Sequence, residues 1–284
     1  MGMASKESMV GVPLLIPLCD RAMSGSINIW RRRFVFYIGI AATWLLLIWL
    51  LSDQPHHTTI GFDHGISAWT YAVNQCQAII GYIHLAYWPV SLVFDYGYPD
   101  LKLTITEVWP QATLLLSMLF GSAWLLIRHP AAGFAAATFF ILLAPTSSFI
   151  PLVNEVAAER RMYLPLAALI GLTLCSLYIL CAQRKLYLQI ATGLTLCASL
   201  TLGFATVERN RAYQSPVSIW STAVAAVPDN PRAHVNLAVE LVAAGDLDQA
   251  QVHYMQALEL AHATPMPTTT WRSSYHGAEI STQR

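Results

Sequence analysis

The sequence has few charged residues, and this scarcity limits the class of protein that it can encode. Charged residues make up 11% of the 284 positions and hydrophobic residues make up 55%, whereas soluble domains average about 25% charged residues. A soluble chain of this length needs more charges to keep its surface hydrated, so lipid is expected to cover much of it. The formal net charge is zero, which gives no electrostatic basis for a nucleic-acid partner.

The sequence also lacks the common signatures of metal, redox and nucleotide chemistry. Cys175, Cys181 and Cys197 lie inside apolar runs, as small buried hydrophobic residues do, and no disulfide framework is present. The spacing of the histidines around His56 and His57 matches no ligand motif. No P-loop, glycine-rich nucleotide motif or nucleophile–base pair occurs. No metal ligand and no cofactor is therefore identified, although a divalent cation is left open.

Long apolar stretches predict an all-α fold, a polytopic transmembrane helix bundle over residues 1–207. A membrane helix needs about 20 mainly apolar residues. Six stretches approach this length, namely residues 9–22, 34–51, 111–127, 131–150, 163–182 and 186–207. The first is short, and Lys6 before it also fits a cleaved signal peptide, but Glu7 and Leu18 disfavour that alternative.

The stretch at residues 66–88 is apolar but carries polar side chains that a membrane span usually lacks. These include Asn74, Gln75 and His84. The pattern favours a helix at the membrane interface or packed on the bundle, followed by a turn at Trp88. A hairpin through the bilayer, extending to Phe94, is the alternative.

Basic residues in the short loops predict the orientation of the bundle. Three clusters, Arg31 to Arg33, Arg128, and Arg184 with Lys185, fall on one face if the spans alternate, and that face is then cytoplasmic. The loops 52–110 and 151–162 and everything after residue 207 lie on the outer face. Arg160 and Arg161 then violate the positive-inside rule, which calls for an explanation.

The segment 208–265 predicts a short α-helical tetratricopeptide region. The pattern of an aromatic residue, a small residue and a helix-ending residue occurs twice, 34 residues apart. Trp220, Ala223 and Pro228 form the first copy. Tyr254, Ala257 and His262 form the second. One full unit covers about 231–264. Its signature positions are Leu237, Ala238, Leu241, Gly245, Ala250, Tyr254 and Ala257.

About three repeats usually form an independent core, but only one and a half units are present. Two interpretations follow: the region docks on the membrane domain, or the array has been cut short. The Thr/Ser-rich tail, residues 266–284, is predicted to be disordered.

A cluster of charges before the span at 163–182 is the leading candidate site. Glu159, Arg160 and Arg161 follow one another on the outer face, where arginines are disfavoured unless they hold an anion. A guanidinium binds phosphate oxygens in a bidentate manner, so a lipid-linked phosphate is the predicted ligand. The alternative is an ordinary interfacial salt bridge with headgroup contact.

Two further positions are weaker candidates. Lys6 lies at the outer end of the first span, where its ammonium group either faces the same pocket or is an ordinary polar cap. Asp95 and Tyr96 lie in the long outer loop, where they either shape a pocket for a sugar or acceptor or simply solvate the loop.

Several of these segments together resemble a known family. They are Ser5-Lys6-Glu7 before a proline-containing span, the loop ending Tyr87 to Tyr96, the Ala158 to Pro165 loop, and the run from Arg209 to Ala233 leading into the repeat. This order is similar to the C-terminal half of GT-C-type polytopic glycosyltransferases with tetratricopeptide repeats. That group includes the transmembrane and tetratricopeptide-containing O-mannosyltransferases and bacterial relatives.

The resemblance implies an enzyme that moves a sugar from a polyprenyl phosphate to an acceptor, often a protein hydroxyl, on the outer face. It implies a multi-pass protein, with the bacterial inner membrane as the expected location and the repeat on the periplasmic side. By the same comparison, Lys6, Glu159 and Arg160 belong to the wall near the carrier phosphate. The family's acidic catalytic loop precedes the matching region, so no catalytic residue is assigned and the chain is expected to be incomplete for catalysis alone.

Two other functions stay open. The chain is alternatively a non-enzymatic membrane anchor that presents a tetratricopeptide unit to a partner protein. A small transporter is disfavoured, because the intramembrane charges of a transport path are lacking.

Overall fold

The computed structural model describes residues 10–24, 28–52, 67–90, 92–97, 103–147 and 157–263, and these residues form helices and connecting segments without a strand. The predictions for Lys6, for the tail 266–284 and for the end of the stretch 131–150 fall outside the described residues.

The helices are numbered here in chain order. They are α1 Val12–Ser24, α2 Asn28–Arg32, α3 Phe34–Ala41, α4 Thr43–Ser52, α5 Ala68–Tyr87, α6 Ile105–Arg128, α7 Pro130–Leu143, α8 Tyr163–Cys181, α9 Lys185–Arg211, α10 Pro216–Ala226, α11 Pro231–Ala244 and α12 Leu247–Ala263. A 3₁₀ turn, Glu159–Met162, leads directly into α8.

Within the described residues, three helical stretches are long and apolar enough to cross a membrane. They are Ile105–Arg128, Glu159–Cys181 and Lys185–Arg211, and little of their apolar surface is buried inside the protein. Apolar side chains left on the outside of a long helix are expected to face lipid. The predicted all-helical membrane character is confirmed at this level.

The other three predicted spans are shorter or interrupted. α1 has 13 residues and α7 has 14, about 20 Å each at 1.5 Å per residue. The stretch 34–51 is divided into α3 and α4 at Ala42, where the Thr43 hydroxyl donates to the Ile40 carbonyl at 2.5 Å. A side chain that takes up a backbone acceptor competes with the helical ladder. Six spans therefore stay a prediction.

Helix α6 begins at Ile105, before the predicted start at residue 111, because a capping box defines its first turn. The Glu107 carboxylate accepts from the Thr104 backbone N–H at 2.8 Å, which satisfies a donor that the helix itself leaves open. α6 then packs tightly on α7. A Cβ atom added at Gly133 of α7 would lie 2.2 Å from the Leu126 backbone nitrogen, so the two backbones are in direct contact.

Helix α5 packs on the bundle and contributes to its main core. Ile79 and Tyr82 lie in one buried cluster with residues of α7 and the start of α8, namely Phe139, Leu143, Met162 and Leu169. At the end of α5, the Tyr87 hydroxyl lies 2.7 Å from the Thr173 Oγ1 of α8. Val93, in contrast, contacts Glu159. Glu159 precedes Thr173 by about 14 residues, which is about 20 Å along the same helical stretch. Between Tyr87 and Val93 the chain therefore returns toward the start of α8.

Helices α10, α11 and α12 pack consecutively into a unit of their own. Its core consists of Leu237, Ala238, Leu241 and Ala250, with Trp220 and Tyr254 against it. Gly245 ends α11 with a φ of 85°, a left-handed conformation that glycine adopts without steric cost. Most of the predicted signature residues are thus in or beside one core, while their assignment to a tetratricopeptide stays a prediction.

Two histidines link α11 to α12 through a bond that requires defined tautomers. His234 Nε2 lies 2.9 Å from the Pro228 carbonyl oxygen, which can only accept, so this nitrogen carries the proton. The Nδ1 of neutral His234 is then an acceptor, and it lies 3.1 Å from His253 Nδ1, which must donate. The pair is therefore complete when both rings are neutral.

Acid is expected to loosen the packing of α11 on α12. Burial, and secondly the neighbouring His234, lower the pKa of His253, so the folded state binds fewer protons than the unfolded state. The stabilisation is complete above the unfolded pKa of about 6.5 and is lost as pH falls toward the folded pKa. The protection factors of the Leu247–Ala263 amides, which are corrected for the slower intrinsic exchange at lower pH, should fall several-fold from pH 7.5 to 5.5. A His253→Gln variant that shows an equal fall would contradict this assignment.

Candidate functional site

The candidate site is built on the 3₁₀ turn Glu159–Met162 at the start of α8. The residue before the turn, Ala158, donates its backbone N–H to the Tyr82 hydroxyl at 2.6 Å, and it is buried like Met162 within the turn. Tyr82 belongs to α5, so this bond fixes the turn to a second helix. The side chains of the turn therefore project from a rigid base.

The Glu159 carboxylate is held by two donors from the segment 92–97. Its Oε1 accepts from the Val93 backbone N–H at 2.5 Å and from the Tyr96 hydroxyl at 3.1 Å. Arg209, near the end of α9, interacts with it electrostatically. The two hydrogen bonds hold the half-buried Glu159 side chain in a fixed orientation.

Tyr96 acts as a donor in this arrangement under all ordinary conditions. Burial, and secondly the negative charge of Glu159, raise the pKa of the Tyr96 hydroxyl far above its usual value. The hydroxyl proton therefore stays on Tyr96 and is shared with Glu159. Its predicted role in a sugar or acceptor pocket stays a prediction.

The two arginines of the turn point to different surroundings. The Arg161 guanidinium is half-buried and donates to the Thr146 carbonyl at 3.0 Å, just beyond the end of α7. The Tyr71 hydroxyl of α5 donates to the same oxygen at 3.1 Å. Arg161 thus ties α5, α7 and α8 together, whereas Arg160 is exposed.

Asp95 is engaged with the helical unit α10–α12, and it does not solvate a loop. Its carboxylate forms an ion pair with Arg232 of α11, and the two side chains are only 10% and 19% exposed, respectively. Arg232 Nε donates to Asp95 Oδ2 at 2.7 Å and Arg232 Nη2 donates to Oδ1. This bidentate geometry is the most directional form of a carboxylate–guanidinium pair.

Other contacts strengthen the same connection. The Asn230 side-chain amide donates to the Asp95 carbonyl at 3.2 Å. The Phe94 ring packs edge-on against Trp220, with 5.2 Å between ring centroids. The segment 92–97, called the bridge below, therefore connects Glu159 with the α10–α12 unit. This agrees with the predicted alternative that the region docks on the membrane domain.

Two of the three basic clusters predicted for the cytoplasmic face lie at the ends of α7 and α8 that are opposite the Glu159 turn. Arg128 precedes α7, whose far end, Leu143, packs near the Glu159 turn. Arg184 follows α8, which begins at that turn. The 14 and 19 residues of these helices separate the two groups of charges by about 20 to 28 Å.

Sequence reasoning missed the residues that complete the site from a distance. Tyr82 and Arg209 lie dozens of residues from Glu159, and Arg232 lies 137 residues from Asp95. No spacing rule connects these positions. Arg209 and Arg232 did lie within a segment that carried the family resemblance. Arg232 follows the N-cap residue Asn230 and the first-turn proline of α11. This start of a helix was the only feature of the local sequence that marked the position.

Comparison with known proteins gives partial matches to glycosyltransferases. Over 188 residues the chain is 30% identical to protein O-mannosyl-transferase TMTC1 of Mus musculus, covering 61% of this chain and 19% of that protein. Over 192 residues it is 24% identical to a protein O-mannosyl-transferase of Caenorhabditis elegans, covering 66% and 27%. The chain thus spans about a fifth to a quarter of the length of these relatives. No family profile and no solved structure gives a significant match.

These matches agree with the resemblance that the sequence motifs carry, at the level of similarity to protein O-mannosyl-transferases. The three long apolar helices agree with a membrane protein. Among the described residues, no group of three potential metal ligands occurs.

Proposed function

We propose that the chain forms the carrier-phosphate side of a membrane glycosyltransferase. In this proposal the complete enzyme transfers a sugar from a polyprenyl phosphate to an acceptor, such as a protein hydroxyl. The relatives named as protein O-mannosyl-transferases support this class of reaction. The observation that carries the proposal is the exposed Arg160 beside the doubly held Glu159, at the start of a helix long enough to cross the membrane.

The position of Arg160 suits a phosphate that is attached to a lipid. Its guanidinium offers two parallel donors to phosphate oxygens, and the N-terminal end of α8 adds a favourable dipole for an anion. The isoprenoid chain would lie along the apolar surface of α8, where Leu164, Ile170 and Leu174 are exposed. Glu159 fixes the backbone of the turn and thereby the direction of Arg160.

In this proposal Arg161 stabilises the Glu159–Met162 turn and is not the principal phosphate contact. Its bond to the Thr146 carbonyl makes it a structural residue of the turn and leaves Arg160 as the principal phosphate contact. Lys6, outside the described residues, stays a predicted second cation of the same wall. The donor needs no cofactor in this scheme, and a divalent cation is left open.

In the proposed orientation, the Glu159 turn and the α10–α12 unit lie on the outer face. The separation of Arg128 and Arg184 from that turn supports this, because basic residues prefer the cytoplasmic side. The resemblance to the family adds the bacterial inner membrane as the expected location. The α10–α12 unit is proposed to be a tetratricopeptide unit that contacts a protein acceptor or partner.

A second candidate function is a membrane anchor that presents the α10–α12 unit to a partner protein. It is favoured by the exposed apolar side chains of α11 and α12, among them Val239, Val252 and Met255. In this candidate function these side chains belong to an interaction surface, for which a contiguous apolar patch is the typical feature. Binding of polyprenyl phosphate separates the two functions, because the anchor needs none.

Arg160→Ala is expected to weaken binding of polyprenyl phosphate to the chain in lipid nanodiscs by about tenfold or more, since a charge-assisted hydrogen bond contributes about 1.5–3 kcal/mol. Arg161→Ala should instead lower the melting temperature, because it severs a buried connection. Arg128→Ala, which removes an exposed arginine at the end of α6, far from the Glu159 turn, is the matched control. Equal affinity of Arg160→Ala and wild type would rule out the phosphate contact.

A further inference from the structure

The bridge, residues 92–97, contacts Glu159 with some residues and the α10–α12 unit with others. We propose that Asp95 and Arg232 are positioning residues for the Glu159 carboxylate, through which the α10–α12 unit controls the geometry and solvent access of the candidate site. The proposal goes beyond the function proposed above, because it concerns how two parts of the chain are coupled. It holds for any ligand of the Glu159–Arg160 turn.

On the membrane side, the coupling depends on a backbone group. The Val93 N–H donates to Glu159 at 2.5 Å, and Val93 is 8% exposed. A backbone donor cannot be reoriented by a rotamer change, so a shift of the bridge removes the bond. The second donor to Glu159, the Tyr96 hydroxyl, belongs to the same segment and moves with it.

On the other side, the bridge is attached to the first turn of α11. The Asp95–Arg232 pair supplies two charge-assisted bonds. Asn230 donates its side-chain amide to the Asp95 carbonyl, while its side-chain oxygen accepts from the Arg232 backbone N–H at 3.1 Å. One buried side chain thus caps the helix and holds the bridge, so α11 and the bridge must move together.

The bridge is short and stiff enough to transmit such a movement. Asp95 Oδ1 also accepts from the Gly97 N–H at 2.8 Å, which closes a local turn. Gly97 has a φ of 80°, and a Cβ there would lie 3.3 Å from the Asn230 Cγ. Asp95 is two residues, about 7 Å, from Val93. A shift of α11 is therefore passed to the Glu159 contact without a flexible intermediate.

Chemical labelling of Glu159 measures this coupling directly. The chain of 284 residues in nanodiscs is treated with a water-soluble carbodiimide and an amine, and modification of Glu159 is followed by mass spectrometry. Arg232→Ala should raise the labelling rate by about 5-fold or more, the lower end of coupling between linked sites. Arg211→Ala is the control, because it removes only the exposed pair with Glu208 on α9. Its labelling rate should equal that of wild type.

Amide exchange separates positioning from unfolding. In Arg232→Ala, exchange at Val93 should rise while amides of α11 and α12 stay protected, and Arg232→Lys should restore part of the protection of Glu159. By reciprocity, Glu159→Gln should raise exchange at Arg232 and Ala233. If Arg232→Ala exposes α11 to exchange, Asp95→Asn is used instead, since it keeps the shape of the side chain.

Faster labelling of Glu159 in a variant whose α11 amides stay protected supports the proposal. Labelling at the wild-type rate in that same variant overturns it. Neither outcome involves a sugar donor or polyprenyl phosphate, so the failure of this proposal is distinguishable from the failure of the proposed function.

Discussion

Gly133→Ala is expected to lower the free energy of unfolding by about 3 kcal/mol or more, at the upper end of overpacking costs. The added methyl carbon would lie 2.2 Å from the Leu126 backbone nitrogen and 2.4 Å from its Cα. Side chains relieve such a clash by rotating, but these are backbone atoms of α6. Relief therefore requires α7 to separate from α6, which opens the contact on which the α6–α7 hairpin depends.

Gly121→Ala is the matched control, because it makes the same change within α6 where no neighbouring atom of the described residues lies within 4 Å of the new methyl group. Alanine has the higher helix propensity, so this variant should be neutral or more stable by up to about 1 kcal/mol. Thermal unfolding of both variants in detergent, with the folded fraction measured by size-exclusion chromatography, gives the comparison. Equal melting temperatures would show that the helices are not in backbone contact.

The contrast between these glycines shows what the sequence could not predict. Gly121, Gly133 and Gly171 all lie in apolar runs with similar neighbours. Of these three, only Gly133 lies where two helices approach within backbone distance, because the hairpin turn at His129 sets the register of α7 on α6. That register is a property of the packed pair, and no local pattern contains it.

The long helices were predictable because their apolar runs exceed the length of a bilayer crossing. α8 and α9 begin and end within a few residues of the predicted 163–182 and 186–207. Where an apolar run was interrupted by backbone chemistry, prediction was less accurate. Hydropathy alone does not register the Thr43 bond that accompanies the break at Ala42, nor the capping box that starts α6 at Ile105.

The candidate site was predictable only in part. Glu159, Arg160 and Arg161 were conspicuous because arginines on the predicted outer face need an explanation. The distinct surroundings of Arg160 and Arg161 follow from the fold of the loop after α7, where Thr146 offers a carbonyl to one of them. The partner of Asp95 lies 137 residues away in the chain. The sequence around Asp95 therefore does not show whether its carboxylate is solvated in a loop or paired with a distant arginine.

Asp95→Ala and Arg232→Ala are each expected to destabilise the chain by about 3–5 kcal/mol, because each removes one partner of an ion pair whose other charge stays nearly buried. The Asp95 and Arg232 side chains are only 10% and 19% exposed, respectively. The double variant removes both charges, so it should cost less than the sum of the two single variants. Chemical unfolding in detergent gives the four free energies of this cycle.

The exposed pair Arg211–Glu208 provides the control cycle. Its side chains are 67% and 58% exposed, and such a pair contributes at most about 1 kcal/mol in high dielectric. If the costs of Asp95→Ala and Arg232→Ala were additive, the two residues would act independently and their ion pair would not hold the bridge on α11. A large coupling energy, together with protected α11 amides, would instead assign the pair to the junction between the membrane helices and the α10–α12 unit. In that case α11 contributes to holding the bridge in contact with Glu159.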